Sequence, residues 1–202
     1  IALVTDAGMP GISDPGADMV RLCQTEGIPV TAAPGPTAFS TALVLSGLDS
    51  RRFIFEGFLP TDKKEKAQVL KSIEKETRTV IFYEAPHRLK TTLKELFEST
   101  GDREAACVRE ITKKFEEVKK GNMSELIEYY NVNEPKGEFV IVIGGADAQK
   151  LKKEEIAAWE SITVEEHVKK YMAEGMSEKD AMKQAAKDRG ITKRDIYAQL
   201  KK

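Results

Sequence analysis

Cysteine, tryptophan and aromatic residues in general are scarce in this 202-residue chain: two Cys, one Trp, and 7% Phe, Trp and Tyr together. Cys23 and Cys107 lie far apart without metal-type spacing, which excludes a zinc ribbon or a disulfide scaffold and fits a reduced, cytosolic setting. No apolar run approaches the length of a membrane span. Charge of one sign is also missing: 32 Lys and Arg against 33 Asp and Glu give a net charge of −1. No global basic field therefore draws the chain to nucleic acid, and any such contact has to be local. Internal repeats and low-complexity tracts are absent. With 41% hydrophobic residues, the length allows one large or two small globular domains.

The most informative stretch follows the apolar run Ile1 to Thr5, which reads as a buried strand. It is the loop Asp6-Ala7-Gly8-Met9-Pro10-Gly11-Ile12-Ser13-Asp14-Pro15-Gly16. Glycines let a backbone approach a ligand closely, and the N–H groups of a following helix hold carboxylates or phosphates. The loop has neither a Walker lysine nor the spaced glycines of a dinucleotide fingerprint, so a small-molecule site and a plain strand-to-helix turn both stand. Because the chain opens inside a strand, further strands of the same sheet are expected before Ile1; a targeting segment stays open.

Asp14 or Ser13 is expected to cap a helix with Pro15 at its first position, stopping at Gly27. Ile28 to Ala33 reads as a strand, and Pro34-Gly35-Pro36-Thr37-Ala38 as a second rigid loop into a small-residue helix ending at Ser46. Two such loops on one sheet edge make a crevice. A crossover strand within 48–61 leads to an amphipathic helix over 62–75, then a buried strand at Thr79 to Tyr83 and a helix from Pro86 through Phe97. Two extended pieces flank Arg109 to Lys114, a helix spans Ser124 to Tyr130, and Gly137 to Gly144 is another core strand. Beyond Ala146 three helices fit: Val164 to Glu174; Glu178 to Asp188 capped by Ser177; and one after Thr192.

Six blocks together resemble the ribosomal small-subunit methyltransferase I family of the tetrapyrrole-methylase-like fold. They are 6–16, 33–38, Phe58-Leu59-Pro60, Phe82-Tyr83-Glu84-Ala85-Pro86-His87-Arg88, Arg109-Glu110-Ile111-Thr112-Lys113-Lys114 and Gly137-Glu138-Phe139-Val140. The resemblance implies a class III, two-domain α/β methyltransferase fold with a C-terminal helical extension, most of the first domain's early strands being absent here. The expected division is 1–48 as the end of a donor-binding domain, 49–146 as a second α/β domain, and 147–202 as a helix-turn-helix-like extension. It also implies S-adenosylmethionine as methyl donor, the 2′-hydroxyl of a cytidine in 16S rRNA as acceptor, the small ribosomal subunit as partner, a cytoplasmic homodimer, and no metal. The same fold acting on a tetrapyrrole or other small substrate, and a non-catalytic ribosome-binding protein, are the alternatives.

Carried over block by block, the resemblance implies donor contacts at Asp6, Ala7, Gly8, Ile12, Thr37, Ala38, Glu84, Glu138, Phe139 and Val140. A base helps because a protonated ribose hydroxyl is a poor nucleophile, and His87, Glu110 and Lys113 are the candidates, with Glu84 a fourth titratable group in these blocks. For His87, a structural role at a helix start and a place in the substrate cleft both remain open. Arg88, Arg109, Lys113 and Lys114 are expected on RNA phosphates, the other reading being an ordinary solvated face. Phe53, Phe55 and Phe58 either stack bases or form one packed strand face. From Leu151 onward 12 basic residues face 10 acidic ones, so the extension is only mildly positive; Lys193 and Arg194 are its expected RNA contacts, with packing or dimerisation as the other role.

Overall fold

The segment 79–84, Thr-Val-Ile-Phe-Tyr-Glu, is β-branched and aromatic, which suits a central strand buried on both faces. It becomes β2 (Thr79–Glu84) of a five-stranded sheet with β1 (Phe53–Phe58), β3 (Glu104–Arg109), β4 (Glu117–Asn122) and β5 (Phe139–Ile143). The sheet order is β1-β2-β5-β3-β4, with β1 and β2 parallel and the other neighbours antiparallel. This computed structural model describes residues 1–5 and 8–200. It comprises two compact units, Ile1–Ala146 and Asp147–Lys202.

Local chemistry starts the three helices that follow β1 in the sheet unit. Asp62 accepts from the N–H groups of Lys64 and Glu65 to open α3 (Lys63–Ile73), Pro86 takes the first position of α4 (Pro86–Thr100), and a capping box of Asn122 and Glu125 opens α5 (Met123–Val132). Strand alternation then sorts the side chains. Val80, Phe82, Phe139, Ile141, Ile143, Ala105 and Cys107 point into one core with Leu89, Leu93 and Leu96 of α4 and Leu126 of α5. Ile81, Val108, Val140 and Val142 point the other way, under Ala42 and Leu43 of α2 (Ala38–Ser46). Cys107 is wholly buried, and burial pushes its thiol up to about 12, so it is inert at neutral pH.

The first 37 residues depart from expectation. Neither Ile1–Thr5 nor Ile28–Ala33 is a strand. A strand exists only through pairing, and here the apolar side chains of Ile1, Leu3, Val4, Ile28 and Val30 are exposed. Helix α1 (Ala17–Thr25) follows Gly16, without the Asp14 or Ser13 cap; no side-chain hydrogen bond closes its N-terminus, and none of its residues is buried.

The second unit holds α6 (Ala148–Glu160), α7 (Val164–Ala173), α8 (Glu178–Asp188) and α9 (Lys193–Leu200). Three were expected; α6 was not. Ser177 accepts from the Asp180 N–H as the expected cap, and Val164, Val168, Ala181, Met182, Ala185 and Ile196 form the core. His167 is fully buried there, stacked on Trp159 at 3.8 Å between centroids. Among the described residues no helix is long and apolar enough to cross a membrane.

Candidate active site

Strand registers bring the sequence blocks to one end of the sheet. Phe58 pairs with Tyr83, Glu84 with Phe139, and Arg109 with both Phe139 and Glu117. The end of β1, the end of β2, the start of β5 and the β3–β4 connection therefore share a single rim. Helix α2 runs toward the opposite end: its first turn meets Tyr83, whose hydroxyl accepts from the Phe39 N–H at 3.2 Å, while Asp49 beyond its last turn accepts from Thr79 at the start of β2.

The two Gly/Pro loops meet over this rim. The Met9 N–H donates to the Pro36 carbonyl at 3.0 Å. Gly8, at φ 77°, passes so close that a Cβ there would lie 2.9 Å from the same carbonyl oxygen. Ser13 reaches β1, its hydroxyl 3.3 Å from where a Gly57 Cβ would be. Thr37 sits at the N-cap of α2, yet its hydroxyl bonds Ser40 Oγ at 2.7 Å and does not cap the helix, so Tyr83 holds the Phe39 N–H instead. The first turn of α2 thus presents the positive end of a helix dipole at the rim. Gly8, Ile12, Thr37 and Ala38 all belong to these two loops, whereas Asp6 and Ala7 lie outside the described residues.

Beneath the loops stands an aromatic cluster. Phe39 stacks on Phe55 at 4.6 Å, Tyr83 meets Phe55 edge-on at 4.9 Å, and Phe58 meets Tyr83 at 5.8 Å. Burial holds the Tyr83 phenol above its ordinary value; the Phe39 N–H opposes that and the Asp14 carboxylate adds to it.

Several expected ligands are already engaged by the protein itself. Glu84 is buried, its carboxylate accepting from Thr92 Oγ1 at 2.6 Å and the Ala85 N–H at 2.8 Å, with Arg88 Nε at 3.5 Å. It ties the end of β2 to α4 and has no free oxygen for a ribose. Arg88 donates to the Leu59 carbonyl at 2.6 Å, so it ties β1 to α4 and is not a free phosphate contact. Arg109 Nε lies 2.7 Å from Glu117 Oε2 across the β3–β4 pair, and its Nη1 donates to the Lys136 carbonyl; this too is an internal tie. Phe139 is buried on the face under α4 and α5, edge-on to Tyr130 at 5.6 Å, which turns its ring away from the loops. Val140 faces α2.

At the β3–β4 connection, Lys113 Nζ bridges Glu110 Oε1 at 3.3 Å and Glu138 Oε2 at 3.2 Å. Glu110 Oε1 also accepts from the Glu138 N–H at 3.1 Å. That main-chain N–H, then Lys113, holds the Glu110 carboxyl below the usual range. Glu110 and Glu138 together raise Lys113. Glu110 is thereby a weak base and Lys113 a fixed cation, so neither suits proton abstraction. His87 is exposed in the first turn of α4. Lys114 is exposed and lies 5.6 Å over the Phe115 ring. Lys193 and Arg194 are exposed on α9 of the second unit. Among the described residues no three His, Cys, Asp or Glu side chains gather as a metal site.

Comparison with known proteins gives this geometry its relatives. Residues 1–127 match the family described as Tetrapyrrole (Corrin/Porphyrin) Methylases. Ribosomal RNA small subunit methyltransferase I of Bacillus subtilis (strain 168) is 47% identical over 197 residues, covering 98% of this chain and 67% of the relative. Its namesake in a Synechocystis strain is 41% identical, covering 98% and 69%. The chain thus spans about two thirds of the length of these relatives. Among solved structures, the methyltransferase CobJ is similar at TM-score 0.54 and 16% identity, covering 69% of this chain and 62% of that one. Uroporphyrin III C-methyl transferase from Thermus thermophilus is similar at TM-score 0.50 and 20% identity, covering 68% and 62%. At such identities the two structures speak for the fold, which is that of the tetrapyrrole methylases.

Proposed function

Since the chain belongs to the ribosomal RNA small subunit methyltransferase I family, within the tetrapyrrole methylases, we infer that it serves S-adenosylmethionine-dependent 2′-O-methylation of a cytidine in 16S rRNA of the small ribosomal subunit. The observation that carries this reading is the joined pair of loops: Met9 N–H on the Pro36 carbonyl, a close-packed Gly8, and beside them an α2 N-terminus that its own N-cap residue Thr37 does not close. When bound, S-adenosylmethionine supplies an electrophilic methyl group together with a carboxylate, a ribose and a flat base.

The residues present fit such a group. Main-chain N–H groups of the Gly8 and Thr37 loops and the first turn of α2 suit its carboxylate. The half-buried rings of Phe39, Phe55 and Tyr83 give apolar surface, and Glu138, exposed at the rim, offers a carboxylate for its ribose. Among the acceptor-side groups, Lys113 and Lys114 are cations for phosphate, and Lys193 and Arg194 offer a further contact from the helical unit. With Glu110 and Lys113 locked to each other, the exposed His87 in the first turn of α4 is the remaining candidate to take the hydroxyl proton. Methyl transfer is an in-line displacement, so holding acceptor oxygen and donor in line supplies much of the acceleration. Residues 1–48 then act as part of the donor-binding domain, 49–146 as the domain completing the cleft, and 147–202 as the ribosome-facing extension.

Incubating the full-length protein with methyl-labelled donor and small ribosomal subunits tests the reading. Label on a cytidine 2′-oxygen is expected. His87→Ala is expected to lower turnover by about a hundredfold or more, and Lys113→Ala to weaken subunit binding and flatten its salt response. Label entering only a tetrapyrrole, or no label in either acceptor, overturns it.

A further inference from the structure

The geometry points to Phe58 as a stacking platform for an unpaired RNA base, and so as a contact that positions the target nucleotide; this rests on the rRNA methylation reading above. The argument begins in the register of β1. Phe53, Ile54 and Phe55 pair in step with Thr79, Val80 and Ile81, but Gly57 then pairs with Phe82 and Phe58 with Tyr83. One residue, Glu56, is extra. Strict alternation would keep Phe53, Phe55 and Gly57 on the α2 face and send Phe58 into the core beneath α4. The bulge reverses that parity, with Gly57 at φ 70°, and Leu59 enters the opposite core in its place. Bulges of this kind re-aim a side chain, and they are enriched beside functional sites.

Stability alone does not account for the outcome. Full burial of a phenylalanine side chain contributes roughly 2–3 kcal/mol, yet Phe58 stays 50% exposed while its neighbour Leu59 is fully buried. Among the described residues β1 is an edge strand, and no strand of this sheet covers the ring from that side. Its inner side is fixed: Tyr83 meets it at an interplanar angle of 67°, and Tyr83 is in turn pinned by the Phe39 N–H at the start of α2. A half-exposed aromatic ring, braced on Tyr83, thus stands beside the loops proposed to carry the donor, and among the described residues its exposed surface faces no other ring.

A flat apolar partner suits that surface. Where the target nucleotide is drawn out of its stack to seat its ribose in the site, unstacking costs a few kcal/mol. Stacking on an aromatic side chain returns about 1–3 kcal/mol per base. Exposed Lys113 and Lys114 occupy the same rim at the β3–β4 connection, where they suit the phosphates flanking such a base.

The test compares Phe58→Trp, Phe58→Leu and Phe58→Ala in the full-length protein, using small ribosomal subunits and labelled S-adenosylmethionine. Trp keeps a π-face and is expected to stay within about twofold of wild type. Leu keeps apolar bulk without the ring, and its KM for subunits is expected to rise about tenfold; Ala is expected to lose about tenfold to a hundredfold in kcat/KM. Calorimetric affinity for S-adenosylmethionine is expected to stay at wild-type values in all three, and thermal stability to hold in Trp and Leu and to fall modestly in Ala, which loses the packing on Tyr83. If wild type labels the RNA and Leu matches it, the platform is refuted while the methylation reading survives. Equal loss of donor affinity in Trp, Leu and Ala likewise overturns it, because the ring then packs the donor site. If wild type itself labels no RNA, the functional reading fails and the platform goes with it.

Discussion

The two ends of the sheet are built from the same five strands and treat their polar groups in opposite ways. At the end where β2 begins, nearly everything is tied to main chain: Arg103 donates to the carbonyls of Glu74 and Glu76, the Ala146 N–H donates to the Glu76 carbonyl, and Thr79 Oγ1 donates to the Asp49 carbonyl. At the rim, glycine-rich loops rest on one another through a few bonds, the α2 N-terminus is not closed by its own N-cap residue Thr37, and His87, Lys114 and Phe58 are exposed. The closed end spends its chemistry on rigidity. The open end keeps groups in reserve for a ligand, and it can do so because the closed end fixes the strands that carry them.

The sharpest way to break this contrast is at Gly145. A Cβ there would sit on the Thr77 carbonyl oxygen, with the Thr77 carbonyl carbon and Arg78 nitrogen close behind. These are backbone atoms and cannot swing aside. Gly145→Ala is expected to cost about 3 kcal/mol of unfolding free energy in urea. An unchanged midpoint would show that the closed end yields easily and that the contrast is false.

Tyr83→Phe probes the open end with a smaller effect. It leaves the ring contacts with Phe55 and Phe58 and removes only the acceptor of the Phe39 N–H. The expected loss is about 1 kcal/mol of stability. The same change is expected to weaken S-adenosylmethionine binding about fivefold, because the first turn of α2 is no longer held to the rim. Calorimetry separates the two: lost stability with unchanged donor affinity would mean that Tyr83 only packs.

Much of the closed architecture was legible because it rests on short-range signals. The apolar run at β2, the Asp62 cap of α3, Pro86 at α4 and Ser177 at α8 each announce an element within a few residues. What pairing decides was not legible. Ile1–Thr5 and Ile28–Ala33 have strand composition, but composition carries no information on whether a neighbour is present to bond. Helix α6 escaped because its Lys- and Glu-rich sequence buries no residue; Asp147, which accepts from the Gln149 and Lys150 N–H groups, was the available clue. Of the rim residues, the loop members Gly8, Thr37 and Ala38 were placed together by their Gly/Pro context. The internal partners of Glu84, Arg88 and Arg109 were not legible, because a sequence displays charge without its partner. The spacing Glu84, Arg88, Thr92, four residues apart each time, was a signal that these groups answer one another.

The smallest effect expected separates the two ends by pH. At the closed end, Arg78 donates to Glu76 through Nε at 2.9 Å and Nη2 at 2.8 Å. These bonds, with the Arg78 N–H helping and burial opposing, hold the Glu76 carboxyl down to about 2, from an ordinary 4.5. A carboxyl depressed on folding contributes stability that is complete above its unfolded value and disappears as pH falls through its folded one. The difference in unfolding free energy between wild type and Glu76→Gln is therefore expected to be full above about pH 4.5 and gone near pH 2. Its size is expected to stay under about 1 kcal/mol, since the Arg78 side chain is 39% exposed and solvent screens the pair. Urea titrations of both proteins across that range check it. A difference that does not change with pH would mean that Glu76 acts through shape and not charge, leaving Arg103 and the main-chain ties to close that end of the sheet.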